Sequence, residues 1–137
     1  AMVGKWHLGH ADRKYWPLQR GFDSQYGPLL GEIDYFTHSA HGTRDWFRDE
    51  QPVVEPGYVT ELIGREAVRV IEGHDAGTPL FMYLTFTAPH SPYQAPQAWL
   101  ERIGRLREAG RHDEADAELA RFRKQYPDVT VPPALLR

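Results

Sequence analysis

Apolar residues follow three different rhythms along this chain. The densest run covers residues 80–86, entered through Pro79, where Leu80, Phe81, Met82, Tyr83 and Leu84 follow one another and Thr85 breaks the run only near its end. A run of that kind suits a strand covered by helices on both faces. Ala1, Met2, Val3 and Gly4 form a shorter run and predict the end of a second buried strand. Between the two, Val59, Leu62, Ile63, Ala67, Val70 and Ile71 keep the i, i+3, i+4, i+7 spacing of a helix with one buried face, capped at Thr60 and stopped by Gly73. Over residues 45–55, Trp46, Phe47, Val53 and Val54 flank Asp49, Glu50 and Gln51, which predicts a small hairpin.

Helical spacing returns near the end. Trp99, Leu100, Ile103 and Leu106 line one side of residues 97–109, Gly110 interrupts, and Ala115, Leu119, Phe122 and Tyr126 mark a second helix over 112–126. Its acidic residues lead and Arg121, Arg123 and Lys124 trail, as the helix dipole favours. Residues 11–28 read as loop, with Pro17, Gly21, Gly27 and Pro28 punctuating aromatics, and residues 20–23 as a tight turn that buries Phe22. Strand, hairpin-bearing loop, helix, strand and helices in that order describe a β/α crossover, which makes parallel sheet. The expected class is α/β: a mainly parallel sheet flanked by helices, with a small β-hairpin and a helical C-terminal stretch.

Composition narrows the partners. A net charge of -3 carries no basic bias, so neither nucleic acid nor an anionic membrane surface is expected as a partner. The absence of cysteine removes disulfides, thiolate metal sites and thiol nucleophiles from this stretch. No run approaches the about 18 apolar residues of a membrane span. With 137 residues there is one domain's worth of chain, and since it opens inside a strand it is expected to be an internal fragment of a larger domain.

Chemistry gathers at two strand ends. Lys5 and His7 follow the first strand, and His90 follows the last within Thr87-Ala88-Pro89-His90-Ser91-Pro92-Tyr93, an exit stiffened by two prolines. Ligands in open α/β sheets bind outside the carboxyl ends of strands. Parallel neighbours would bring Lys5, His7 and His90 to one edge, as one permanent cation and two imidazoles. Because neither motif holds an adjacent Asp or Glu, the cluster suits an anion. An ordinary strand-to-loop exit would give the same short patterns, so the pairing of the two motifs is what raises them above chance.

Taken together, Gly4-Lys5-Trp6-His7-Leu8-Gly9, Arg20-Gly21-Phe22-Asp23, Gly31 with Asp34-Tyr35, and Pro79-Leu80-Phe81 through Ala88-Pro89-His90-Ser91-Pro92 resemble the middle of a type I sulfatase of the arylsulfatase class. The resemblance covers about residues 1–100; residues 101–137 carry no family motif and are expected as a helical insertion of a subgroup. It implies an alkaline-phosphatase-like sandwich and hydrolysis of sulfuric esters by a formylglycine made in a Cys/Ser-x-Pro-x-Arg motif, beside a calcium held by Asp and Asn. By similarity, Lys5 would bridge a sulfate oxygen and the formylglycine oxygen, His7 would take the proton that expels sulfate, and His90 would bind sulfate near the leaving oxygen. Tyr35, His38, His41 and Arg44 would belong to the loop that reads the sugar or aryl group, with Tyr35 and His38 the expected substrate contacts. No Cys/Ser-x-Pro-x-Arg stretch occurs here, so formylglycine, the calcium ligands and the rest of the catalytic domain are expected outside this chain, which alone would be inactive. A small-molecule or carbohydrate sulfate ester is the implied ligand, and a periplasmic, secreted or lysosomal compartment the implied location.

Rival readings are a phosphodiesterase or phosphonate hydrolase of the same superfamily and a non-catalytic anion-binding segment. A histidine metal site, from His7 with His10 and His38 with His41, is a weaker rival, because no cysteine or His-Glu-x-x-His helix completes a set.

Overall fold

The computed structural model describes every residue except Tyr93, Ala95, Asp128 and Arg137. Tyr93, the last residue of the expected exit, thus lies outside the described residues. The chain divides into two compact units, residues 1–93 and residues 94–137.

The first unit is built on a five-stranded mixed sheet. Its strands are β1 (Met2–Gly4), β2 (Gln25–Gly27), β5 (Phe47–Arg48), β6 (Gln51–Pro52) and β7 (Tyr83–Thr85), in the order β6-β5-β2-β1-β7. β1 runs parallel to both neighbours, pairing Val3 with Tyr26 on one side and with Leu84 on the other. The β/α crossover therefore forms as the element order predicts. β2 and β5 are antiparallel, and so are β5 and β6. Asp49 and Glu50 turn the β5–β6 hairpin with φ of 46° and 64°, the left-handed pair a two-residue hairpin loop requires. Asp49 also accepts from the Gln25 backbone N–H at 2.8 Å, which ties the turn to β2.

Close approach of β1 and β7 depends on a glycine. Gly4 has φ 109°, and a Cβ placed on it would overlap the Thr85 carbonyl. Adjacent side chains of β1 then serve opposite faces, as strand geometry dictates. Val3 joins Tyr26, Ile33, Tyr35 and Trp46 under the helix α1 (Val59–Glu72), while Met2 joins Trp6 and Leu29 on the other side. Burial of Val59, Leu62 and Ile63, at about 1.5–3 kcal/mol each, holds α1 to the sheet with roughly 5–9 kcal/mol before entropy is counted. A second hairpin, β3 (Ser39–Ala40) with β4 (Thr43–Arg44), stands apart from the main sheet.

Several expectations need correction. Thr60 does not cap α1; the cap position is Tyr58, whose side chain makes no capping bond. Ile71 is 58% exposed and leaves the buried face, because the last turn of α1 runs past the sheet's cover. β2 lies within the stretch read as loop, since three residues are too short to show a period. The run at 80–86 is not covered on both faces: β7 is an edge strand of this unit, and Phe81, Leu84 and Phe86 are 72%, 41% and 43% exposed.

In the second unit α2 (Pro96–Glu108) packs on α3 (His112–Gln125) through Leu100 and Ile103 from one and Ala115, Leu119 and Phe122 from the other. Trp99 sets its ring edge-on to Phe122 and donates to Glu118 Oε2 at 2.9 Å. These two helices keep the apolar faces that their spacing predicts, with ends that differ by one residue at most from the expected 97–109 and 112–126.

Candidate active site

Backbone hydrogen bonds carry the parallel pairing past the strand ends and into the loops. Trp6 and His7 donate their N–H groups to the Pro28 and Leu29 carbonyls at 2.9 and 3.0 Å. Asp45, itself buried, accepts from the N–H groups of Leu29 and Leu30 at 3.1 and 2.8 Å. Burial pushes the Asp45 carboxyl up, against the pull of those two bonds. Segment 28–31 is thereby fixed alongside residues 5–7, and Gly31 lies so near that a Cβ on it would overlap the His7 imidazole. His7 takes φ 52°, a left-handed backbone uncommon outside glycine. Its ring is seated on Gly31 while the residue stays exposed.

On the other side of β1, Lys5 donates its N–H to the Thr85 carbonyl at 2.9 Å, and the Thr85 hydroxyl donates back to the Lys5 carbonyl at 2.6 Å. Lys5 is half-buried, and among the described residues its ammonium has no hydrogen bond or ion pair. Beyond β7, the His90 N–H donates to the Thr87 carbonyl at 3.0 Å, closing a turn over Pro89. The His90 Nδ1–H donates to the Ser91 carbonyl at 3.0 Å, which commits one ring nitrogen and leaves Nε2 for a ligand. The Tyr35 hydroxyl donates to the His90 carbonyl at 2.7 Å from inside the core.

The structure thus brings Lys5, His7 and His90 to one edge of the sheet, the carboxyl ends of β1 and β7. It treats the two expected substrate contacts differently. Tyr35 is 1% exposed and His38 is fully buried, so neither side chain meets a ligand at the surface. Tyr35 instead positions His90. His38 stacks on Trp46 with ring centroids 4.8 Å apart and donates Nε2–H to the Gly57 carbonyl at 2.9 Å. Burial holds its imidazole below the ordinary range, so it serves as a neutral core donor. His41 and Arg44 are exposed on the β3–β4 hairpin.

Neither strand-end motif holds a carboxylate, but the fold brings one beside His90 from elsewhere. Glu32, one residue past Gly31, sets Oε2 3.9 Å from His90 Nδ1 and Oε1 3.7 Å from His41 Nε2, and the Ser91 hydroxyl donates to Oε2 at 3.5 Å. Glu32 stands in neither strand-end motif. The one available signal was its position beside Gly31, where close backbone approach is needed. Among the described residues no three His, Asp or Glu side chains gather as a metal site. Nor is any helix of the described residues long and apolar enough to cross a membrane.

Comparison with known proteins adds an independent line. A family model described as Sulfatase matches residues 1–126, extending past the about 100 residues that carry the motifs. Arylsulfatase J of Mus musculus is 35% identical over 108 residues, 73% of this chain and 18% of that protein. The arylsulfatase of Klebsiella aerogenes is 33% identical over 130 residues, 89% of this chain and 27% of that protein. Among solved structures, Ps i-CgsB in complex with k-i-k-neocarrahexaose superposes with a TM-score of 0.61 at 30% identity, covering 74% of this chain and 26% of that one. BT4656 in complex with its substrate, D-Glucosamine-2-N, 6-O-disulfate, gives a TM-score of 0.53 at 30% identity over 72% of this chain and 18% of that one. The chain therefore spans less than a third of the length of these relatives.

Proposed function

Because the chain belongs to the sulfatase family, we propose that it is an internal segment of a catalytic domain that hydrolyses a sulfate ester, with residues 101–137 as a helical insertion. The parallel pairing of β1 with both neighbours carries this reading, since it sets Lys5, His7 and His90 on one edge of the sheet. Sulfate is a dispersed anion. An ammonium without a partner among the described residues and an imidazole whose Nδ1 is committed to the Ser91 carbonyl are groups that stabilise charge developing on its oxygens. In the roles assigned to them, Lys5 and His90 bind sulfate oxygens, and His7 holds the proton exchanged when sulfate departs, a task for which an imidazole can both donate and accept. Tyr35 acts through His90 by holding its carbonyl.

Calcium and formylglycine are the family's cofactors, and the residues here do not fit either one. Among the described residues no three His, Asp or Glu side chains gather as a metal site, and the sequence holds no Cys/Ser-x-Pro-x-Arg stretch. Both are assigned to the remainder of the domain, and a periplasmic, secreted or lysosomal location goes with them. The alcohol released is that of a small-molecule or carbohydrate ester.

The test is sulfate release by the full-length enzyme. Lys5→Ala and His90→Ala are each expected to lower kcat/KM by about 100-fold or more, the range seen when one oxyanion donor is lost, while the thermal midpoint stays within a few degrees. Undiminished sulfate release by both variants overturns the assignment. Faster turnover of phosphate diesters than of any sulfate ester would favour the phosphodiesterase alternative.

A further inference from the structure

A cleft of about 230 Å³ opens beside His90, lined by Glu32, Ile33, Asp34, Ser39, His41 and Ser91 among others. Sulfate binding makes no use of its acidic wall. Asp34 is committed to the loop frame, its Oδ1 accepting from the N–H groups of Phe36 and Thr37 at 3.0 and 2.7 Å. Glu32 is not committed in that way. Its side chain is 46% exposed, and its contacts to His41, His90 and Ser91 all lie at 3.5–3.9 Å, longer than good hydrogen bonds. A carboxylate offers about four acceptor sites, so most of this one's capacity faces the cleft unspent. His41 sits across from it at the tip of the β3–β4 hairpin, with φ 50° where such turns usually place Asn, Asp or Gly. An imidazole and a carboxylate about one hydroxyl's width apart form a donor and acceptor pair.

Resting on the sulfatase reading of Lys5, His7 and His90, we propose that Glu32, with His41, is the specificity-determining residue for the alcohol half of the ester. It accepts from a hydroxyl next to the sulfate and rejects a second anionic group at that place. The proposal puts the ester carbon's neighbour on the side of His90 where Glu32 stands, its Oε2 3.9 Å from His90 Nδ1. A hydroxyl there donates to a carboxylate, a bond roughly twice as strong as a neutral one. A second sulfate or a carboxylate there would meet like charge at contact distance, and such juxtaposition is how interfaces exclude wrong partners. The cleft is smaller than the about 300–1,000 Å³ of pockets for drug-sized ligands, which fits a single ring.

The experiment compares kcat/KM of the full-length enzyme for a hexose monosulfate, for the same hexose with a second sulfate on the neighbouring hydroxyl, and for nitrophenyl sulfate. The wild-type enzyme is expected to prefer the monosulfate by about tenfold or more, Glu32→Gln to shrink that preference about tenfold, and Glu32→Asp to keep most of it. The preference is a ratio within one protein, so a general loss of activity or folding does not mimic it. Sulfate release without a preference, or a preference that Glu32→Gln leaves intact, overturns the inference alone. Release from none of the three compounds overturns the sulfatase reading, and this inference with it.

Discussion

Tyr35 donates its hydroxyl to the carbonyl of His90 from a ring that is 1% exposed, so a residue of the core fixes a loop of the candidate active site. Removing that hydroxyl costs one neutral hydrogen bond, about 0.5–1.5 kcal/mol of stability. Loss of position at a reacting group costs more in rate than in folding. Tyr35→Phe in the full-length enzyme is therefore expected to lower kcat on a sulfate ester about tenfold while the thermal midpoint falls only a few degrees. Steady-state kinetics beside calorimetry checks this, and a stability loss with unchanged kcat would assign the hydroxyl to the fold alone. Lys5, His7 and His90 were legible in the sequence because each stands in a motif at a strand end. Glu32 was not, because its nearness to His90 arises from the path of residues 28–33 beside β1, which no local pattern records. His38 shows the opposite failure. A loop histidine flanked by polar residues looks exposed until Trp46 and Gly57 close over it.

At the scale of elements, Glu66 on α1 binds two arginines at once. It accepts from Arg48 of β5 at 2.7 and 3.0 Å and from Arg69 on its own helix at 3.0 and 2.5 Å. Burial pushes its carboxyl up, but the bonds from Arg69 and Arg48 outweigh this and hold it below its ordinary value of 4.5. A carboxylate whose folded pKa is depressed contributes stability that is present above its unfolded pKa and lost as pH falls through the folded one. Glu66→Gln is accordingly expected to destabilise the protein by about 1–3 kcal/mol at neutral pH, with Arg48 part-exposed and so only partly stranded. The difference from wild type should shrink below about pH 4.5. Denaturant titrations at neutral and acidic pH measure it, and a gap independent of pH would count against the carboxylate. The long helices were legible because a period of 3.6 needs ten or more residues to show. The β5–β6 hairpin was legible from its turn residues. β2 offers three residues, and α1 starts at Tyr58 without a side-chain cap, so neither left a sequence signal.

At the scale of the whole molecule, β1 lies near the chain's start yet is paired on both sides, and of the two edge strands of this sheet, β6 and β7, the one beside it is β7. That edge carries Phe81, Leu84 and Phe86 in exposed positions, and an apolar edge strand templates further pairing. The 137-residue chain by itself is expected to self-associate at tens of micromolar, since open apolar strand edges promote aggregation at such concentrations. Sedimentation velocity checks this; a monodisperse monomer with one cooperative melting transition would refute it. Parallel topology was legible from element order, because a strand, a helix and a second strand in succession form a crossover. The stem of the β3–β4 hairpin is clamped by Asp34 N–H to the Ser39 carbonyl at 2.9 Å and by Asp45 N–H to the His38 carbonyl at 2.9 Å, while His41 and Gly42 at its tip are exposed. Insertions at that tip would remodel the far wall of the cleft without disturbing the strands that carry Lys5 and His90. The hairpin is thus a natural grafting point, where new preferences could be selected in a library while the edge that carries Lys5, His7 and His90 is inherited unaltered.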